Sequence, residues 1–307
     1  MGRYLIQRIF QSLFTLIMIL IAVFVLMHMV GDPVALLLPE EATLEQRAAV
    51  RTRYGCDRPL YVQAADYFGG LVKGDFGNSI RYNEPAMGLV LSRVPKTATL
   101  GAIAFAIALL GIPLGILAAT RPRSVVDVAI NVGAFAFVSV PGFWLALMMI
   151  LVFAIAWGWL PTSGFGGYTG FKYMIMPAIV ISVGPLARFS QLTRTAMLEE
   201  LSKQYVVTAR AKGLSQPTVL YVHTLKNASI AVVTLAGSTF VGLFNGAVIV
   251  ETVFGWPGVG QMIVGSIQQR DMQVVIAAIV MLASLVIVVN FTVDMIYGLL
   301  DPRIKYS

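Results

Sequence analysis

The chain has 307 residues, 58% of them hydrophobic and 12% charged, with a formal net charge of +7 and a mean hydropathy of +0.81. A soluble domain runs at roughly 45–50% apolar and about 25% charged, so a soluble globule, a disordered chain and a coiled coil are excluded, and much of the apolar surface must face lipid. The single cysteine, Cys56, leaves no intramolecular disulfide and no cysteine-based zinc cluster.

Six apolar runs approach or exceed the ~20 residues that cross a hydrocarbon core of roughly 30 Å: 9–30, 97–120, 128–157, 173–189, 229–250 and 274–300. The first follows Arg3 and Arg8 and shows no small-residue cleavage site before Gly31-Asp32-Pro33, so it is expected to be a retained anchor rather than a signal peptide. The third carries Pro141-Gly142 near its middle, which predicts a kink or a break. The fourth is short, about 21 Å of helix between Tyr173 and Arg188. Arg188 is therefore expected to snorkel or to face protein rather than lipid.

Counting Lys and Arg in the short loops orients the spans. Twelve, from Arg3 to Lys305, fall on one side, and only Lys172 and Arg270 on the other. Both termini and the 190–228 segment are thus expected in the cytoplasm, and the 31–96 segment, with eight basic and eight acidic residues, outside. The basic balance is topology and gives no sign of nucleic-acid binding. The outer segment is expected to open with a helix from Thr43-Leu44-Glu45 to about Tyr54, to turn around Gly74-Asp75, and to fold against the membrane part, being too small for a core of its own.

Energy coupling within the chain would need a phosphate-binding loop or ionisable groups at mid-membrane. No Gly-Lys pair occurs, which removes the phosphate loop. His28, Glu251 and Asp294 sit towards span ends, where interfacial solvation accounts for His28 and Glu251 and a neighbouring base for Asp294. Two distant histidines, with no H-E-x-x-H and no G-x-S-x-G, leave hydrolysis and metal chemistry without machinery.

The segment 199–217 between spans four and five reads as helix, stop, helix. Glu199-Glu200 are expected in a first turn and Arg210 and Lys212 in a last one, Gly213 supplies a left-handed stop, and Ser215 with Pro217 starts the next helix. Leu201, Tyr205, Thr208 and Ala209 fall on one narrow, weakly apolar face. Spacing alone is equally compatible with a helix lying on the membrane and with a docking face for a partner protein.

Thr-Ala-Arg-Ala-Lys-Gly-Leu-Ser at 208–215 resembles the cytoplasmic coupling loop of binding-protein-dependent ABC importer permeases of the dipeptide, oligopeptide and nickel branch. Tyr54-Gly55 with Asp57-Arg58-Pro59-Leu60, Gly74-Asp75-Phe76-Gly77-Asn78-Ser79 and Gly158-Trp159-Leu160-Pro161-Thr162-Ser163-Gly164 agree with that branch. So do Glu251-Thr252-Val253-Phe254-Gly255-Trp256-Pro257-Gly258-Val259-Gly260 and the C-terminal Asp301-Pro302-Arg303-Ile304-Lys305-Tyr306. The resemblance spans nearly the whole chain in the right order.

The resemblance implies an all-α membrane protein with about six transmembrane helices, like the transmembrane domain of type I ABC importers, in the bacterial cytoplasmic membrane. Residues 1–96 would form an anchor helix plus extracytoplasmic segment, and 97–307 the permease domain with a coupling loop at 199–227. The family's loop pattern, Glu-Ala-Ala-x-x-x-Gly, places Gly213 at its glycine, Ala209 and Thr208 at its alanines and Val207 at its glutamate. His223, Leu225 and Lys226 stand where the pattern continues with an apolar residue and Leu-Pro, so a glutamate contact at Val207 is in question while docking is not. Docking would use Tyr205, Val207, Thr208, Ala209, Arg210, Ala211, Lys212, Gly213 and Leu214.

An outer gate is expected from Glu251, Phe254, Trp256, Pro257, Gly258 and Gly260, as a short helix over the pore mouth, and helix breaks near the pathway from Pro141, Gly142, Gly184 and Pro185. The implied partners are a second permease, two ATP-binding subunits carrying ATP and Mg, an extracytoplasmic solute-binding protein and lipid; this chain itself would hold no cofactor. The cargo by resemblance is a peptide, with nickel or another small solute as the alternative. A self-sufficient channel or secondary transporter is the competing reading, and it lacks a driving force.

Overall fold

In the computed structural model, which describes residues 2–29, 57–167 and 170–300 and the single positions 43, 45, 48 and 52, the apolar runs are helices. Five are long and apolar enough to span a membrane, and a bent pair makes a sixth. The motifs at Tyr54-Gly55 and residues 301–306, Cys56, most of the expected 43–54 helix, and the side chains of His28 and Asp294 lie outside the described residues. The chain divides into two units, residues 1–95 with 258–307, and residues 96–257.

The first unit contains α1 (Gly2–Met29), α2 (Leu60–Val72), the first ten residues of α3 (Ala86–Leu109), α10 (Val259–Gln268) and α11 (Met272–Leu300). Helix α1 leaves Ile9, Phe10, Leu13 and Phe14 exposed, as a lipid-facing helix should. The described part of the 57–85 segment packs against helices α1 and α11. Phe24 of α1 lies 5.4 Å from the Tyr67 ring of α2, and Ser79 donates a 2.5 Å hydrogen bond to the buried Asp271 carboxylate ahead of α11. Phe76 packs among the buried Val274, Ile276 and Val280 of α11. Gly77 sits at φ +76 with Gln273 close to where a Cβ would be, so this turn needs glycine both for its backbone and for its space.

The second unit takes the rest of α3, then α4 (Gly111–Thr120), α5 (Val125–Ser139), α6 (Gly142–Met149), α7 (Phe171–Leu201), α8 (Gln204–Ala211) and α9 (Leu225–Val253). The run read as the third span is α5 and α6 bent by 100° at Val140-Pro141, with α6 continued by a π-helical stretch, Ile150–Ala156. The proline cannot donate into the preceding helix, and its fixed φ of −60° with ψ 133° starts α6 on a new axis. At the start of α5, Ser124 accepts a hydrogen bond from the Asp127 amide as N-cap, and Asp127 lies in the first turn, where its charge favours the helix dipole.

Helix α7 runs through this unit and carries most of its packing. It spans 31 residues, well past Arg188, where the expected fourth span ended. The extension is possible because the polar residues after Arg188 turn to protein: Ser190 and Thr193 are buried, and Arg194 is paired. Gly184-Pro185 does not interrupt this helix, contrary to the expected break. Against α7 lies α4, through Gly111 and Gly115. A Cβ at Gly111 would run into the Leu186 carbonyl and the Phe189 side chain, and one at Gly115 into the Ser190 carbonyl and Thr193. Lipid tails are as apolar as leucine, so such contacts hold by close van der Waals approach rather than by expulsion of water. Small residues four apart permit it.

Candidate functional site

Three regions carry the residues singled out from the sequence, all but two of which fall in the second unit. The first is the corner between α7 and α8. Ser202 and Lys203 break the helix, Lys203 with an extended ψ of 149°, and α8 then runs Gln204–Ala211. Glu200 ties the corner together: its carboxylate accepts from Lys203 Nζ at 2.6 Å and from the Tyr205 hydroxyl at 2.7 Å. The bond to Glu200 raises the Lys203 ammonium above its ordinary range, and burial, foremost, raises the Tyr205 phenol.

Glu199 and Glu200 therefore close α7 instead of opening α8, correcting the first-turn placement. The Glu200 carboxylate is what latches the corner. At the far end the expected stop is present. Gly213 takes φ +75, the Gly213 amide donates to the Arg210 carbonyl at 2.9 Å, and the Leu214 amide to the Ala209 carbonyl at 3.3 Å. Ser215 faces Thr218 across 2.8 Å and opens the following helical turn, whose π-helical stretch is Thr218–Thr224. His223, read as a solvated helix residue, is half-buried there.

The predicted apolar face is turned the other way. Val206 and Ala209 of α8 are buried with Val219, and Leu201 and Tyr205 pack beside them. Thr208, assigned to that face, is exposed. The outer side of α8 and its stop consists instead of Val207, Thr208, Arg210, Ala211, Lys212, Gly213 and Leu214, with Val207 51% and Leu214 40% exposed. This exposed set has Val207 and Leu214 at its two ends and the cations Arg210 and Lys212 between them.

The second region is a cleft of about 510 Å³ among α6, α7 and α9. Gly142, Gly184 and Pro185 line it, together with Arg188 and the hydroxyls Ser238 and Thr239. Pro141 is at the bend that leads into it. Arg188 is exposed and lines this cleft.

The third is the 251–260 loop. Glu251, expected at the water interface, is fully buried, and Thr97 donates a 2.7 Å hydrogen bond to its carboxylate. Trp256 is also fully buried: its indole N–H donates to the Lys96 carbonyl at 3.2 Å, and its ring meets Phe165 edge-on with centroids 4.9 Å apart. Phe254 is buried and its carbonyl accepts from the Gly164 amide at 2.9 Å. These contacts make residues 251–256 a seam with the 158–164 motif; Pro257 is half-buried beside it. Gly258 and Gly260 belong to the other unit, where Gly258 precedes the short helix α10.

The described site holds no group of three or more histidine, cysteine, aspartate or glutamate side chains that could bind a metal. What the helices define is a polytopic membrane subunit, with an exposed helical corner at α8 and a cleft among α6, α7 and α9. The comparisons give the same class. Residues 111–306 match the family described as binding-protein-dependent transport system inner membrane component, and residues 1–101 match its N-terminal region. The chain is 37% identical over its full length, and that of the relative, to the oligopeptide transport system permease protein AppB of Bacillus subtilis (strain 168). It is 38% identical to the di/tripeptide transport system permease protein DppB of Pseudomonas aeruginosa (strain UCBPP-PA14), over 90% of each chain.

Two crystal forms of the MetNI methionine ABC transporter in inward-facing conformations share the fold, with TM-scores of 0.55 and 0.57 at 21% identity, covering 70% of this chain and 97% of the other. The chain belongs to the binding-protein-dependent transport system inner membrane components. It is a multi-pass, non-catalytic inner-membrane permease subunit of an ABC importer, a role that entails ATPase subunits as partners.

Proposed function

We propose that this permease forms half of a path for peptides across the cytoplasmic membrane, alongside a second, homologous permease, two ATP-binding subunits and an external solute-binding protein. The observation that supports the cargo is full-length similarity to permeases whose names specify oligopeptides and di- and tripeptides. In this reading both termini and residues 199–227 face the cytoplasm, and residues 31–96 the outside. Residues 1–96 serve as the anchor and outer segment, and 97–307 as the permease domain.

The exposed side of α8, from Val207 to Leu214, docks on an ATPase subunit. Binding of ATP with Mg on the ATPases moves α8, and the rigid corner at Glu200 passes that motion into α7. A helix transmits displacement only if its end is tied, and the Glu200 contacts tie it. The 251–260 segment serves as the outer gate of the path. The test is purification from the native membrane in mild detergent, with mass spectrometry of co-purifying proteins and of any retained ligand. A second permease, two ATPases and a retained peptide are expected. Retained nickel or another solute overturns the peptide reading, and a chain recovered alone with ATP-independent flux overturns the docking role.

A further inference from the structure

We propose that Arg188 is the anion-recognition point of the path, taking the C-terminal carboxylate of a passing peptide in the cleft among α6, α7 and α9. The assignment rests on the peptide reading above and adds a chemical basis for how this chain handles its cargo.

Arg188 lies 17 residues after Phe171 and 13 before Leu201, about 25 Å and 20 Å from the two ends of α7. Arg188 stands at the end of the apolar stretch of α7, before the polar 190–201 turns, and a guanidinium there is retained where it faces water, protein or substrate. Two arginines of α7 make the contrast. Arg194 is tied to Asp127 by a two-point ion pair. Arg188, six residues earlier, has no hydrogen-bond or ion-pair partner among the described residues, and none of the other residues lining its cleft is ionisable.

The cleft supplies the rest of a carboxylate site. Thr239 brings a hydroxyl from α9, while that of Ser238 donates to the Leu235 carbonyl at 3.0 Å, and Gly142, Gly184 and Gly242 lower the walls so that a backbone can approach. A volume of about 510 Å³ falls within the ~300–1,000 Å³ of ordinary small-ligand sites, so a di- or tripeptide fits. The guanidinium offers a planar pair of donors matched to a carboxylate. Every peptide of free C-terminus carries that group whatever its sequence. A single arginine can therefore engage many side-chain compositions.

The experiment uses the complete importer, co-purified from its native membrane and reconstituted in vesicles, with trialanine and its C-terminal amide as probes. Wild-type importer is expected to prefer the free acid by about tenfold in kcat/KM, the scale of one charge-assisted hydrogen bond. Arg188→Gln is expected to bring the preference down to about twofold, and Arg188→Lys, a point charge without the fork, to an intermediate value. Comparing the acid-to-amide ratio of the variant with that of the wild type cancels any selection by the external receptor.

Four outcomes overturn the assignment. One is a wild-type importer that moves both probes equally; another is a preference that survives Arg188→Gln. A third is a deficit equal for both probes that grows with the anionic-lipid content of the vesicles, which assigns the cation to a headgroup. The fourth is Arg188→Gln importer that loses the second permease, which assigns it to a subunit contact. Wild-type vesicles that move neither peptide instead overturn the peptide reading itself.

Discussion

Arg194 closes on Asp127 with two parallel hydrogen bonds, Nε to Oδ1 at 2.5 Å and Nη2 to Oδ2 at 2.7 Å, joining α7 to the first turn of α5. The Asp127 carboxylate is 3% exposed and also accepts from the Arg123 amide and from Asn131. Removing one partner leaves the other charge poorly compensated. Asp127→Ala is expected to lower stability by about 2 kcal/mol, read as a fall in the detergent unfolding temperature. Asp127→Ala/Arg194→Met is expected to regain part of that loss, since the orphan charge is gone.

Close approach between α4 and α7 rests on two glycines. Gly115→Ala places a methyl on the Ser190 carbonyl and Thr193, and Gly111→Ala one on the Leu186 carbonyl. Each should cost about 1–3 kcal/mol by forcing the helices apart. Gly101 and Gly133, with nothing within 4 Å of a built Cβ, are the controls; alanine there should leave the unfolding temperature unchanged or slightly raised.

The Thr97 hydroxyl holds a buried carboxylate 154 residues away in sequence. Thr97→Val keeps the shape and removes the donor, so about 1–3 kcal/mol should be lost. Thr97→Ser should recover most of it. Equal unfolding temperatures for the valine variant and the wild type would show that this bond contributes nothing.

At Gly213 a side chain meets open space, so only φ +75 and charge are at issue. Aspartate and asparagine tolerate the left-handed region about equally, but an aspartate adds a negative charge at the carbonyl end of α8. Gly213→Asp is expected to reduce uptake about tenfold or more, beyond what helix fraying alone implies, while Gly213→Asn stays near wild type. Co-purification with the ATPases, measured in parallel, should fall with uptake in the aspartate variant.

The sequence makes the spans and the bend at Pro141 legible because both are written locally, about twenty apolar residues crossing a bilayer and a proline lacking the donor a helix needs, although Pro177 and Pro185 are carried within α7. It marks the Gly213 stop for the same reason. It misplaces what depends on distant partners. Arg188 looked like the end of a span because hydropathy stops at charge, yet Ser190, Thr193 and Arg194 find protein contacts that let α7 continue. Glu251 looked solvated because Thr97 is far away in the chain. Of the face read on α8, Leu201, Tyr205 and Ala209 do pack inward; Thr208 was placed there instead of Val206 because the helix restarts at Lys203, which breaks the register carried over from Leu201. Gly111 and Gly115 stood in plain view as small residues four apart, a spacing that could have located the α4 and α7 contact.

The buried seam at Trp256 has an optical consequence. Of the four tryptophans, Trp144, Trp157 and Trp159 are 47%, 51% and 64% exposed, whereas Trp256 is at 0%. Replacing the first three by phenylalanine leaves one indole in a dry setting beside Phe165. Its emission would shift to longer wavelength whenever water reached the seam, so the protein carries a native fluorophore that reports wetting of this seam without any attached label.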